Sequence, residues 1–413
     1  MLNSVFGALA WFFAALTFTL SLAVPSGYGV GTTGIFLLSL LGLFLMKTRW
    51  SELTQDDRVL FWVFVSFAVS MFGFAYLGGW HIRDLDRPSR FILVLPVMFL
   101  LLKSVGREQW LWFGCVAGAV GAFALALYER QVLGLDRAQG SEHPIMFGNT
   151  GVLLGLISLV AAMYYFAKQR YIWMVLALIG CLSGIGASLL SGSRGGWVAL
   201  PLIGFFLLWQ SRFLLGKKLV WGGGITAIVV LACVVSIPQT GVQGRIMEAF
   251  NDVQLYQAGV NKNTSVGLRF EMWKAAWYMF QQEPMLGVGE YGSGAVKERL
   301  IEQGVVVPEV MPFSHAHNEF INALSLRGLV GLLFLMVVYL LPMRLFLKKM
   351  RQYPDNWSIK AYAMAGALVP MCYMDFGLSQ VMFAHNIGVM MYAFPIVYFW
   401  AAVRWAERKE LAQ

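Results

Sequence analysis

Runs of about twenty predominantly apolar residues recur along almost the whole 413-residue chain, and no other feature limits its fold so sharply. A bilayer core about 30 Å thick is crossed by a helix of about 20 residues, whose backbone polar groups all bond internally. Twelve such runs stand near residues 4 to 24, 30 to 46, 59 to 80, 89 to 105, 110 to 129, 148 to 167, 171 to 191, 196 to 211, 219 to 238, 320 to 342, 361 to 378 and 387 to 405. With 58% hydrophobic and 13% charged residues, the chain is not an ordinary soluble domain, which is about 25% charged. The expected fold class is an all-α polytopic membrane protein of about twelve transmembrane helices. The first run has no basic segment before it and exceeds a signal-peptide core of about 7 to 15 residues, so it is expected to stay as the first span.

The net charge of +9 does not point to nucleic acid, because Lys and Arg sit in short clusters between apolar runs instead of along one basic face. Their distribution describes topology. Alternate loops and the C-terminus carry eighteen basic residues, whereas the intervening short loops carry six, Arg83, Arg87, Arg90, Arg130, Arg137 and Arg194. Basic loops stay cytoplasmic, so both termini are expected inside. The layout is then helices 1 to 9 over residues 1–238, a large periplasmic loop over 239–319, and helices 10 to 12 with a cytoplasmic C-terminus over 320–413. A loop of that length is usually functional. Within it Leu268 to Gln282 reads as an amphipathic helix with Phe270, Trp273, Trp277 and Phe280 on one face, opened by Thr264 and Ser265 and stopped by Pro284. Nothing in the pattern indicates an oligomeric state, and the only partner implied at this level is membrane lipid.

On this map all five histidines, His81, His143, His315, His317 and His385, lie on the outer side, and so would any chemistry they carry. The six short-loop cations there are all Arg, the side chain suited to bidentate phosphate contact, although interfacial anchoring accounts equally for several of them. Arg194 stands apart. It sits in Ser191-Gly-Ser-Arg-Gly-Gly-Trp197, a tip of small residues that opens the eighth run, where exposed backbone N–H groups and a guanidinium suit an anion. Pro312-Phe-Ser-His-Ala-His-Asn-Glu-Phe-Ile321 enters the tenth run with Ser314 as the expected N-cap, which would put His317 in the first turn as a neutral ring able to accept a proton. Asn318, Asn322 and Ser325 follow as a polar stripe, and such stripes in spans usually line a cavity.

Other motifs are discounted. Gly287-Val-Gly-Glu-Tyr-Gly292 matches a dinucleotide fingerprint literally but follows a helix instead of a strand, so it is read as a turn. Asp84 and Asp86 could hold a metal, but Arg83 and Arg87 flank them and are expected to pair with both. His315 and His317 lack a further ligand cluster for zinc, and Cys115, Cys181, Cys233 and Cys372 read as small core residues. No cofactor or metal is expected.

Ser191-Gly-Ser-Arg194-Gly-Gly, Ser265-Val-Gly-Leu-Arg269-Phe-Glu-Met-Trp273-Lys-Ala-Ala276, Pro284-Met-Leu-Gly-Val-Gly289 and His315-Ala-His317-Asn318-Glu-Phe-Ile occur in this order around the large loop. Together with His143-Pro-Ile-Met-Phe-Gly148 they resemble the O-antigen ligase and O-antigen polymerase superfamily over roughly residues 140 to 340. The resemblance implies a fold similar to GT-C-like glycosyltransferases and a glycan donor on undecaprenyl diphosphate. It also implies metal-independent transfer to lipid A-core at the periplasmic face of the inner membrane. Arg194, Arg269 and His317 match the catalytic positions, while Arg137, His143, Ser193, His315 and Asn318 are expected to bind substrate. Two histidines precede Asn318, which leaves His315 as the alternative to His317. A polymerase or a related protein glycan ligase would use the same chemistry on another acceptor. A transporter of lipid-linked glycans would want several polar residues within the spans, where Asp375 is nearly the only acid deep in an apolar run.

Overall fold

The computed structural model describes residues 2–46, 50–104, 106–193, 195–236 and 242–412. Fourteen α-helices and no strands occur among them. They are α1 Leu2–Leu20, α2 Gly27–Met46, α3 Gln55–Leu77, α4 Ile82–Lys103, α5 Trp110–Gln131, α6 Pro144–Ala167 and α7 Tyr171–Ser191, then α8 Leu200–Ser236, α9 Val242–Gln257, α10 Ser265–Gln282, α11 Gly289–Glu302, α12 Glu319–Gln352, α13 Trp357–Phe376 and α14 Asn386–Leu411. Each of the twelve apolar runs falls on a helix, but the eighth and ninth share α8, which changes direction at Gly216 with φ of 70° and ψ of 162°. Among the described residues seven helical segments are long and apolar enough to cross a membrane, so the expected count of twelve is not reached on that criterion. The charges of α4 and the short apolar stretches of α1 and α2 account for part of the difference. The chain is a multi-pass membrane protein.

The bundle is built around α6, α13 and α14, whose side chains are buried on nearly every face. Close approach depends on small residues. A methyl group on Gly184 of α7 would stand 2.5 Å from the Gly151 carbonyl oxygen and 2.6 Å from Gly155 Cα, so α6 and α7 touch backbone to backbone. Such small-residue seams let dispersion hold helices together in lipid, where apolar burial alone distinguishes little between helix and hydrocarbon. Cys115, Cys181 and Cys372 are free and buried, as expected of core fillers, while the Cys233 side chain lies outside the described residues.

The segment between α8 and α12 forms a cap with its own small core of Met272, Ala275, Met279, Val296, Leu300, Val306, Val310 and Leu326. Thr264 caps α10 as expected, accepting from Gly267 N at 3.1 Å, but the face that α10 buries is Met272, Ala275, Ala276 and Met279. Trp277, expected on one face with Phe270, Trp273 and Phe280, is 53% exposed, while those three are half-buried. Fully buried Glu271 ties the cap together, accepting from Tyr256 Oη at 2.8 Å and from Val307 N at 3.0 Å.

Helix α12 is itself broken, at Gly328 with φ of 62°. The turn after α10 enters the break: Leu329 N donates to Pro284 O at 2.9 Å, Val330 N to Met285 O at 3.2 Å, and Val288 N to Ser325 O at 3.1 Å. A Cβ on Gly287 would lie 2.2 Å from Leu326 C, and one on Gly328 would lie 2.3 Å from Met285 C, so both positions require glycine for contact as well as for positive φ. Only the start of the glycine motif is therefore a turn, with another backbone as its partner, whereas Gly289 to Gly292 form the first turn of α11.

Candidate active site

The first half of α12, Glu319 to Arg327, carries the approach to the site. Its N-cap is Asn318, whose Oδ1 accepts from Phe320 N and Ile321 N at 3.0 Å. Ser314 is therefore not the cap, and His317 precedes the helix instead of lying in its first turn. The carboxamide displaces the hydroxyl because its Nδ2 also donates to Leu378 O at 3.2 Å, fastening the cap to the turn after α13. His317 has φ of 47°, left-handed geometry that costs a non-glycine residue roughly 1–2 kcal/mol and so needs outside support.

Four imidazoles from three distant parts of the chain share this end of the bundle. The His315 and His317 ring centroids are 4.5 Å apart, and His315 lies 6.2 Å from His385, which ends the turn before α14. His143 caps α6 through Nδ1, which accepts from Ile145 N at 3.3 Å, and its charge would be felt by the other three rings. All four are pushed toward the neutral form. Burial holds His317 down to about 4, reinforced by His315 and the Arg269 guanidinium, and holds His385 down to about 4, reinforced by His315, His143 and Arg87. Burial lowers His315 as well, and burial with Arg137 lowers His143. Arg269, a turn before Trp273 on α10, is itself lowered by burial, and no ion pair forms with it among the described residues. Gln380 meets one of the rings, its Nε2 lying 3.4 Å from His385 Nε2, and its influence on His317 works against the lowering by burial.

The small-residue tip before α8 closes the same end. Ser193 is buried, its N donating to Ser191 Oγ at 3.1 Å and its Oγ to Asn149 Oδ1 at 3.4 Å. Arg137 Nε donates to Ser191 O at 2.7 Å, and the loop carrying it is held by Glu129, which accepts from Gln139 N at 2.7 Å. Arg194, expected to be catalytic, lies outside the described residues. A Cβ on Gly195 would lie 2.1 Å from Ser379 Oγ, next to Gln380. The polar stripe of α12 behaves as expected, with Asn322 and Ser325 lining a cavity together with Ser314 and His315.

Asp84 and Asp86 find partners other than those expected. Asp86 pairs with Arg90 at 2.9 Å, one helical turn on, and Asp84 accepts from Tyr291 Oη of the cap at 3.2 Å. Helical spacing in α4 decides the first pairing and docking of the cap the second. Among the described residues no three His, Cys, Asp or Glu side chains converge as a metal site. Sequence reasoning passed over Gln380, treated His385 only as an outer ring, and counted Arg87 as an interfacial anchor. The last two carried a weak signal in their outer placement, whereas Gln380 carried none.

What the arrangement offers is a half-buried guanidinium without an acidic partner among the described residues, within electrostatic reach of neutral rings, which suits an anionic ligand undergoing proton transfer. Residues 179–336, which contain Ser193, Arg269, His315, His317 and Asn318, match the family model for O-antigen ligase. A protein of uncharacterised function from Haemophilus influenzae is 26% identical over 385 residues, covering 92% of this chain and 94% of that one. An O-antigen ligase of Escherichia coli is 25% identical over 213 residues, 51% of this chain and 48% of its own length. Over residues 179–336, the part that carries most of the site residues, the chain is thus similar to the O-antigen ligase family.

Proposed function

We propose that the protein is an O-antigen ligase, transferring a glycan from undecaprenyl diphosphate to a sugar hydroxyl of lipid A-core at the periplasmic side of the inner membrane. The observation that carries this reading is the half-buried His317 ring, held neutral by burial, by His315 and by the field of the Arg269 guanidinium. Arg269, with Arg194 from the neighbouring tip, binds the diphosphate and stabilises the charge that develops as it leaves, an electrostatic contribution typically the largest in such a step. The His317 ring accepts the acceptor hydroxyl proton while the oxygen attacks the anomeric carbon. In the empty site the ring is a weak base. Arrival of the diphosphate offsets the Arg269 field and raises the ring's proton affinity, so the donor itself completes the base. Arg137, His143, Ser193 and His315 line the donor's approach, and Asn318 serves it by holding the start of α12.

Displacement in one step inverts the anomeric centre. Glu319, the carboxylate adjoining the site in sequence, is buried and accepts from Phe383 N at 3.2 Å, an orientation unsuited to a nucleophile. The test is acceptor choice: purified enzyme given lipid-linked donor is offered lipid A-core and a second lipid-linked repeat. Transfer to lipid A-core supports the ligase, whereas chain extension on the lipid-linked repeat alone would assign a polymerase.

A further inference from the structure

The peptide units on either side of Ala316, between His315 and His317, are each gripped by a side chain from a different element. Ala316 N donates to Asn322 Oδ1 of α12 at 3.2 Å, and Ala316 O accepts from the Trp273 indole N–H of α10 at 2.9 Å. Ala316 is buried, so neither peptide group has water as a ready alternative. The next residue is His317 in its left-handed conformation, and the one after that is Asn318, anchored by its cap and by Leu378. The histidine backbone is thus suspended between two fixed points, and its strain is borne by contacts outside the loop.

The geometry points to Trp273 as a positioning residue for transfer, its indole N–H setting the place of the His317 ring relative to the Arg269 guanidinium. This inference rests on the function proposed above. Trp273 follows Arg269 by four residues on α10, so the two side chains leave the same helix face about 6 Å apart along its axis. One rigid helix therefore carries both the group that faces the leaving phosphate and the group that holds the base's backbone. The base and the anion site keep their spacing even if the cap shifts, because the turn at Gly287 locks α10 to the broken α12. Trp273 lies beside Phe270, with ring centroids 5.8 Å apart, so phenylalanine at position 273 keeps an aromatic neighbour while removing the donor and part of the ring.

The experiment compares Trp273→Phe, Asn322→Ala and His317→Ala in detergent-purified protein, measuring kcat, KM for the lipid-linked donor, and thermal melting. Expected are a fall in kcat of about 10- to 100-fold for Trp273→Phe, as displacement of a reacting group by about an ångström brings, with KM for donor within about twofold. Asn322→Ala, with a helix-favouring side chain, is expected to give the same split and serves if Trp273→Phe does not fold. A folded Trp273→Phe enzyme with unchanged kcat, while His317→Ala is inactive, would overturn the positioning role and leave the base intact. A rise in KM matching the loss of kcat/KM would place the indole in substrate binding instead, and would also overturn it. Full activity of a folded His317→Ala enzyme would remove the proposed base, a failure separate from that of Trp273.

Discussion

Where α12 ends, charges are paired, and Asp57, Lys349 and Glu407 among them are buried. Lys349 Nζ lies 2.7 Å from Glu407 Oε1 and 3.6 Å from Asp56, Lys348 pairs with Asp56 at 2.7 Å, and Arg404 pairs with both Glu407 and Asp57. The Trp400 indole donates to Asp57 at 2.7 Å. Where α12 begins, buried polar groups lack such partners: Arg269 has no carboxylate among the described residues, and His317 Nδ1 is buried with no hydrogen-bond partner. One helix thus joins two ends with opposite electrostatic economies. Desolvated charges that find partners at the first end form a joint between α3, α12 and α14, since breaking such a set leaves a charge stranded. Those left open at the other end keep their field for something that arrives. The difference separates scaffold from site without reference to sequence similarity.

Removing His317 tests the contrast most severely. His317→Ala should lower transfer by about 10² to 10⁴, the usual cost of losing a general base, while His315→Ala costs less than about tenfold. Product formation by purified, correctly melting variants decides between them, and a larger loss at His315 would exchange the roles of the two rings. At the opposite end Lys349→Met should cost about 3 kcal/mol of stability, the lower part of the range for a broken buried pair because Arg404 still neutralises Glu407. The melting temperature should fall while kcat of the folded enzyme stays within about twofold. A folded variant that loses turnover would mean the paired end takes part in catalysis.

The smallest effect is in the pH profile, and it sharpens the electrostatic side of the comparison. Burial, His315 and Arg269 hold His317 down to about 4, so the free enzyme's base is already deprotonated at neutral pH. As pH falls, kcat/KM should therefore stay level through about 6.5, where an ordinary histidine would half-protonate, and decline only in more acid solution. The limb of kcat, which reports the donor complex, should lie at higher pH, because the bound diphosphate favours the protonated ring. Coincident limbs near 6.5 would show that the ring is solvated and the two ends less different than the structure presents them.

Much of the architecture was legible in the chain. Apolar runs located the bundle helices because hydrocarbon leaves the backbone little choice, and Thr264 with Pro284 bounded α10 because caps and breakers act locally. The turn at Gly287 was legible for the same reason, but its insertion into the break at Gly328 was not, since two backbones can meet only after both helices are placed. The start of α12 was misjudged by four residues because Asn318 gains a second bond from Leu378, sixty positions away. The apolar periodicity of α10 grouped its aromatics on one face, whereas the buried positions are Met272, Ala275, Ala276 and Met279.

By itself the sequence determined that this chain is helical and membrane-spanning, that its polar chemistry gathers around one long loop, and which guanidiniums and imidazoles could take part. Length of apolar run, helix capping and side-chain chemistry are properties of neighbouring residues, and neighbours are what a sequence records. Tertiary structure alone decided that His143, His315, His317 and His385 come within electrostatic reach of one another, that Gln380 meets His385, and that Trp273 grips the peptide beside His317. It also decided which charges are paired and which are left open. Those outcomes depend on distance and dielectric between segments far apart in the chain, and neither quantity exists until the helices have packed.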